Sequence, residues 1–198
     1  MRWSVLTLVI LGLVGVLAAG CASDKGPAET ALKAAEEAIT AAKGEAGRYV
    51  PDQAKALEAA LAAAKDKFAK GDYRAALTEA QALPAKAKDL TAAAATKKAE
   101  LTKAWEGVSA GMPQVMEAIK GRVDILSQAK KLPATMTADQ LQAAKSGLTE
   151  LTQSWTAATE AFKAGNIPDA VAKATAMKPK AAQVLGMLGM PVPDALKG

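Results

Sequence analysis

The feature that most constrains the fold of this chain is its alanine content, which reaches roughly a quarter of all residues. Alanine is the best helix former, because its side chain loses no rotamer entropy when a helix forms. The β-branched and aromatic residues that favour strands are sparse, and aromatic residues make up only 4% of the chain. The sequence therefore predicts an all-α protein.

The first 21 residues carry a different pattern. Arg2 supplies a positive start, residues 5–17 form an uncharged apolar run, and small residues lead into Gly20-Cys21. The run is too short for a transmembrane helix, which takes roughly 20 residues. A signal peptidase needs small residues before its cleavage site, because only small side chains fit beside the scissile bond. Residues 1–20 are therefore predicted to be a signal peptide.

This segment resembles a bacterial lipoprotein signal with its lipobox. The resemblance implies that Cys21, the only cysteine in the chain, becomes the first mature residue and carries a thioether-linked diacylglycerol. A plain secretory signal would not need that cysteine. The commonest lipobox has Leu three residues before the cysteine, whereas here Ala18 stands there and Leu17 lies one step earlier. Ala22, rather than Asp, follows the cysteine, and by the same resemblance this favours the outer membrane, facing the periplasm. In a host with one membrane, the anchor lies in that membrane.

The charge of the chain excludes some partners. The formal net charge is +5, and only Arg2 is lost with the signal peptide. The lysines alternate with acidic residues at helical spacing, which is typical of a solvated helix face rather than a basic patch. With few aromatic residues to stack on bases, no nucleic-acid binding is expected. Because Cys21 has no second cysteine as partner, the mature chain forms no internal disulfide.

Apolar residues at steps of three and four predict about six helices, arranged as a bundle of two tandem three-helix units. Residues 21–26 form a lipidated tether, residues 27–111 the first unit and residues 112–198 the second. The expected helix ends lie at Gly44 and Gly47, Gly71, Gly111, Leu132-Pro133 and Gly165, and Pro84 should kink or break the third helix.

The fifth predicted helix has the clearest start. Thr137 and Gln140 have the spacing of a capping box, in which each side chain bonds the backbone of the other. From Leu141 to Phe162 the apolar residues then form a heptad-like seam, with Trp155 its largest member. We expect this seam to be buried. The alternative is an exposed Trp155 on a partner surface, since Trp is enriched at binding hot spots.

Two stretches of the chain align without gaps at an offset of 94 residues. One starts at Phe68 and the other at Phe162, and the match includes a glycine turn, a capping residue and the apolar positions that follow. Duplication of a helical unit explains this match. The alternative is coincidence among alanine-rich helices, which look alike by composition.

The segment 67–80, with Gly71-Asp72-Tyr73, partly resembles the helix-turn-helix of tetratricopeptide-like repeats. Residues 28–95 more closely resemble the alanine-rich helical domains of uncharacterised function in bacterial envelope lipoproteins. Tyr49-Val50-Pro51, Ala56-Leu57 and Gly71-Asp72-Tyr73 carry that second resemblance. Because these motifs are structural, the resemblance implies a fold and a compartment only.

The chain is poor in reactive groups. It contains no histidine, which removes the usual general base and the commonest metal ligand. No free thiol remains once Cys21 is acylated. The sequence therefore predicts no enzyme, no catalytic residue, no cofactor and no metal site. Met177, Met187 and Met190 cluster near the end of the chain, where they fill gaps in a core or, alternatively, line a site for a soft metal or an apolar ligand.

Two functions stay open at this point. The first is a lipid-anchored envelope protein that acts as a structural or protein-interaction module, with an envelope protein as its partner. The alternative is a periplasmic binding module that holds an apolar small molecule or lipid between its helices. A solid core with an exposed apolar groove would favour the first, and a large internal apolar cavity would favour the second.

The Cys21→Ser variant tests the lipid anchor. Stable anchoring needs two or more acyl chains, each contributing about 0.8 kcal/mol per buried CH₂. We expect the variant to accumulate as an unprocessed precursor, visible as a larger band on a gel. Normal cleavage together with an unchanged membrane fraction would refute the acylation of this residue.

Overall fold

The computed structural model describes residues 24–196, and every regular element in that range is helical. The signal peptide and Cys21 lie outside the described residues. The all-α prediction is confirmed, and the predicted count of about six helices is close to the five found in the described part of the chain. The helices are α1 (Lys25–Tyr49), α2 (Pro51–Ala69), α3 (Tyr73–Gln128), α4 (Ala138–Lys163) and α5 (Ile167–Met187), and a 3₁₀ turn (Asp194–Leu196) follows.

The lower count has one cause: the predicted third and fourth helices are a single helix, α3, of 56 residues. The chain passes Pro84, Gly111 and Pro113 without leaving this helix. A proline inside a helix removes one backbone hydrogen bond and crowds the preceding turn. Leu83 and Ala87, on both sides of Pro84, are buried, and their packing offsets this cost. Tertiary burial therefore overrides the local preference for a break.

Helix α1 also runs further than its glycines predict. Gly44 and Gly47 lie inside it on the exposed side, whereas Ala46 and Tyr49 are buried. Because core contacts continue to the last turn, the helix ends only at Tyr49. Pro51 then begins α2 at a position where the missing N–H costs nothing.

Three glycines do end helices, as left-handed C-caps. Gly71, Gly165 and Gly189 have φ angles of 84°, 74° and 66°, which favour glycine because no Cβ is present to clash. At each turn the glycine N–H donates to the carbonyl three residues back, and the next N–H donates to the carbonyl five residues back. These paired bonds define the Schellman motif. The predicted ends at Gly71 and Gly165 are therefore confirmed.

A side chain caps the N-terminus of two helices, α4 and α3, but not that of α5. At the start of α4 the Gln140 N–H donates to Thr137 Oγ1 at 3.1 Å, and the Thr137 N–H donates to Gln140 Oε1 at 2.8 Å. This is the predicted capping box. Asp72 Oδ1 accepts the Ala75 N–H at 3.2 Å. Asn166, which precedes α5, makes no such side-chain bond.

The described chain divides into two compact units, residues 24–97 and 98–196, and the division falls inside α3. The sequence predicted the boundary later, between residues 111 and 112. In the first unit, α1 packs on α2, and Leu32, Ala64 and Ala80 form a core cluster that draws on all three of its helices. Exposed ion pairs join α1 and α2 at the surface, where Lys65 Nζ lies 3.0 Å from Glu36 and Lys43 Nζ lies 2.7 Å from Glu58.

The second unit contains a larger core built from α3, α4 and α5. Its clusters also fix the directions of the helices. Trp105 groups with Ala158 and Ala174, whereas the later α3 residues group with earlier α4 and later α5 residues. The segment of α3 in this unit is therefore parallel to α5 and antiparallel to α4. The main cluster contains Met112, Ile119, Val123, Leu126, Leu141, Ala144, Leu151, Met177, Ala181, Val184, Leu185, Leu188 and Leu196.

Helix α4 approaches α5 closely at Gly147, which is buried. A Cβ added to Gly147 would lie 2.5 Å from Val184 Cγ2, and Val184 is itself only 1% exposed. A buried side chain has no free space to move into, so a methyl group at this position overpacks the interface. Glycine is therefore required here for packing rather than for its backbone freedom.

Substitution of two helical glycines tests this contact. We expect Gly147→Ala to destabilise the protein by about 1–3 kcal/mol, because overpacking exceeds the gain in helix propensity. Gly121→Ala is the control, since a Cβ there meets nothing within 4 Å. It should stabilise the protein by up to about 1 kcal/mol. Urea unfolding measures both values, and equal effects of the two variants would contradict the close approach.

Candidate binding groove

The second unit carries an apolar groove of about 730 Å³. Three parts of the chain line it: α3, α5 and the C-terminal segment after α5. Several of its α3 residues, including Ala104, Gly107 and Gln114, are exposed, so the groove is open to solvent. Its apolar lining consists mainly of Val108, Met112, Val115, Leu185, Met190 and Leu196.

Helical periodicity in α3 places the groove residues on one face of that helix. Every α3 lining residue from Lys103 to Ala118 has another lining residue three or four positions away, over a stretch of about 22 Å. Small residues along this face keep the space open. A Cβ added to Gly107 or Gly111 would meet nothing within 4 Å. The sequence reading took Gly111 for a helix end, whereas the structure places it in the wall of the groove.

The C-terminal segment forms the third wall because the chain turns at Gly189. Beyond this left-handed turn, Pro191 and Pro193 line the groove, and Leu196 is 7% exposed within the core of the second unit. Leu196 therefore anchors the segment against the helices. The two prolines stiffen this segment, since the ring of each fixes φ and neither residue has an N–H to satisfy.

The charged side chains that line the groove are all positive. Lys103 and Lys178 line it, and no aspartate or glutamate does. Neither lysine forms an ion pair with any residue in the range 24–196, unlike Lys173 and Lys180 on α5, which pair with Asp169 and Glu150. The groove therefore combines an apolar surface with unneutralised positive charge.

The methionine cluster divides between core and groove. Met177 is 3% exposed and belongs to the main core, as gap-filling predicts. Met187 and Met190 pack against that core and are only partly buried, and Met190 lines the groove. Met177 therefore fills a gap in the core, whereas the position of Met190 fits a site for an apolar ligand.

A stack of three aromatic rings lies elsewhere in the second unit. Trp105 of α3 is nearly parallel to Trp155 and Phe162 of α4, with centroid distances of 5.5 and 4.7 Å. Residues 155 and 162 are two turns apart, about 10.5 Å along the helix axis. The two centroid distances together span that interval, so Trp105 inserts between the other two rings. Trp105 is 7% exposed, whereas Trp155 and Phe162 are only partly buried.

A second groove, between α3 and α4, has both basic and acidic residues in its lining. Trp155 lines it together with Lys120 and Asp124, and Lys120 Nζ donates to Asp124 Oδ2 at 3.0 Å. That hydrogen bond, with the attraction of the carboxylate, raises the pKa of Lys120 above its ordinary value. Because the cation here is already paired, this groove offers a weaker anchor for an anionic ligand than the first.

Residues 24–196 contain no group of three or more acidic, cysteine or histidine side chains placed to hold a metal ion. Within the same range, none of the helices combines the length and the apolar character needed to cross a bilayer. Comparison of the chain with family models, curated proteins and solved structures found no match.

Truncation of the two tryptophans tests the stack. Trp105→Ala should destabilise the protein by about 3–5 kcal/mol, the usual cost of removing a buried tryptophan. Trp155→Ala should cost less, because Trp155 is partly exposed and loses only one stacking partner. Urea unfolding followed by circular dichroism gives both free energies. A larger loss for Trp155→Ala would place the buried aromatic centre at Trp155, as the sequence suggested.

Proposed function

We propose that the protein is a lipid-anchored envelope protein whose second helical unit binds an apolar small molecule or a lipid chain. Cys21 would anchor it in the outer membrane, facing the periplasm. The lipoprotein-like signal supports the anchor, and the groove of about 730 Å³ carries the binding role.

The dimensions and chemistry of the groove support a small ligand. Small-molecule sites generally measure about 300–1,000 Å³, are lined mostly by apolar side chains and carry a few polar groups that orient the ligand. This groove has that volume, an apolar lining, and Lys103, Lys178, Gln114 and Thr175 as its main polar groups. Its apolar lining and ligand-sized volume fit the cavity expected of a binding module. Its opening to solvent fits the exposed groove expected of an interaction module.

Burial supports the duplication as well as the two-unit organisation. At the offset of 94 residues, residues of α2 and early α3 pair with residues of α4 and α5, and both members of eight such pairs are buried. We propose that each unit is a three-helix repeat, and that the second has acquired the groove. The buried pairs are Leu57 and Leu151, Ala64 and Ala158, Ala76 and Ala170, Ala80 and Ala174, Leu83 and Met177, Ala87 and Ala181, Leu90 and Val184, and Ala94 and Leu188.

A protein-interaction module is the second candidate function. The observation that favours it is the opening of the groove to solvent, because a partner segment could then lie along α3. Under this function the partner would be another envelope protein, and the groove would have no measurable affinity for a free apolar compound.

Filling the groove tests the proposed binding function. We use the chain from residue 22, since the described core lies between Ala28 and Leu196. The probe is N-phenyl-1-naphthylamine, a neutral apolar dye that fluoresces in apolar surroundings. Wild type should enhance its fluorescence. The variant Gly107→Leu/Gly111→Leu should bind at least about tenfold more weakly, since both side chains project into open space in the groove.

Gly121→Leu is the matched control for this test. It lies in the same helix, also meets nothing within 4 Å, and does not line the groove, so dye binding should be retained. Equal dye binding by the filled variant and wild type would contradict the proposed site. Absence of dye binding by wild type would remove the small-molecule function and favour the interaction module.

A further inference from the structure

The two cations of the groove leave one end of it without charge. The relevant segments of α3 and α5 are parallel, and Trp105 groups with Ala170 and Ala174 in one cluster. Lys103 precedes Trp105 by two residues, and Lys178 follows Ala174 by four. The levels of the two lysines along the helix axes therefore differ by about 9–15 Å, in a groove whose α3 wall is about 22 Å long. Both lysines fall within the first two thirds of the groove.

The remaining end of the groove is apolar. Beyond the level of Lys178, the lining includes Val115 and Ala118 from α3 and Leu185 from α5, with Gln114 as a neutral polar group. No acidic residue lines the groove. The groove is thus polarised along its length, with positive charge at one end and hydrocarbon at the other.

We infer that the ligand is a single-chain amphiphile with an anionic head, such as a long-chain fatty acid. The head pairs with Lys103 and Lys178, and the alkyl chain extends over Val115, Leu185 and Leu196. This inference rests on the proposed function and specifies its ligand class. The long, flexible stem of each lysine lets both ammonium groups approach one head group despite their axial offset.

Other features of the groove fit this ligand class. The volume suits one alkyl chain of a small amphiphile, since ligand sites of this size hold compounds of drug-like dimensions. A cationic head would be repelled by the two lysines, and a zwitterionic head would bring its own cation close to them. The groove between α3 and α4 lacks this polarity, because Lys120 there is already bonded to Asp124.

The experiment compares two displacers of equal chain length. Decanoate and decan-1-ol, both as monomers, are titrated against bound N-phenyl-1-naphthylamine at pH 7. Decanoate should bind wild type about tenfold more tightly than decan-1-ol, since two exposed ion pairs together supply about one tenfold step in affinity. Added salt should weaken the binding of decanoate and leave the binding of decan-1-ol unchanged, because salt screens the attraction between the carboxylate and the lysines.

The charge variants locate the head group. Lys103→Gln/Lys178→Gln should lose the preference for decanoate and keep its affinity for decan-1-ol. Lys130→Gln/Lys131→Gln makes the same change in net charge at exposed lysines that do not line the groove, so it should retain the preference. This control separates a local ion pair from a general effect of positive charge.

The outcomes distinguish the ligand class from the proposed function. Equal displacement by decanoate and decan-1-ol, or an unchanged preference in Lys103→Gln/Lys178→Gln, overturns the anionic ligand while the groove remains a binding site. Binding only to phosphatidylglycerol vesicles, and not to monomeric decanoate, overturns it in favour of a membrane surface. Failure of wild type to bind the dye removes the proposed function itself.

Discussion

Close contact between alanine faces is the constraint on which the rest of the structure depends. Alanine supplies more of the buried residues than any other type, and many of these alanines have no exposed surface at all. Each buries little apolar area, so stability has to come from short distances between helices rather than from large side chains. The clash that a Cβ at Gly147 would make with Val184 shows how closely α4 and α5 pack at that point.

The second unit departs from this pattern where it carries larger side chains. Its tryptophan and methionine residues are spread over α3, α4 and α5, and Trp105 fills the space between Trp155 and Phe162. Larger side chains separate helices, and the small residues Gly107 and Gly111 then leave part of the α3 wall unfilled. The groove follows from that contrast. Its two lysines form no ion pair within residues 24–196, whereas Lys65 and Lys180 pair with Glu36 and Glu150.

Local chemistry was predictable from the sequence, and long-range packing was not. The capping box of Thr137 and the turns at Gly71 and Gly165 depend on a few adjacent residues, and all three are confirmed. The continuity of α3 through Pro84 and Gly111 depends on contacts with other helices, which no local signal reports. For the same reason the seam of α4 suggested Trp155 as the buried aromatic centre, whereas Trp105, from another helix, holds that place. The groove was missed because its residues come from three separated segments. Only the methionines near the C-terminus indicated it.

Methyl NMR of the methionines tests the ligand-binding account most directly. Met112 and Met190 line the groove, whereas Met116 lines the groove between α3 and α4 and Met136 packs against the far part of the core. With the methionine methyl groups of the chain from residue 22 labelled with ¹³C, decanoate is added below its micelle concentration. The account predicts saturable shifts at Met112 and Met190, with Met116 and Met136 unchanged. Shifts at Met116 alone, or no shifts at Met112 and Met190, would contradict it.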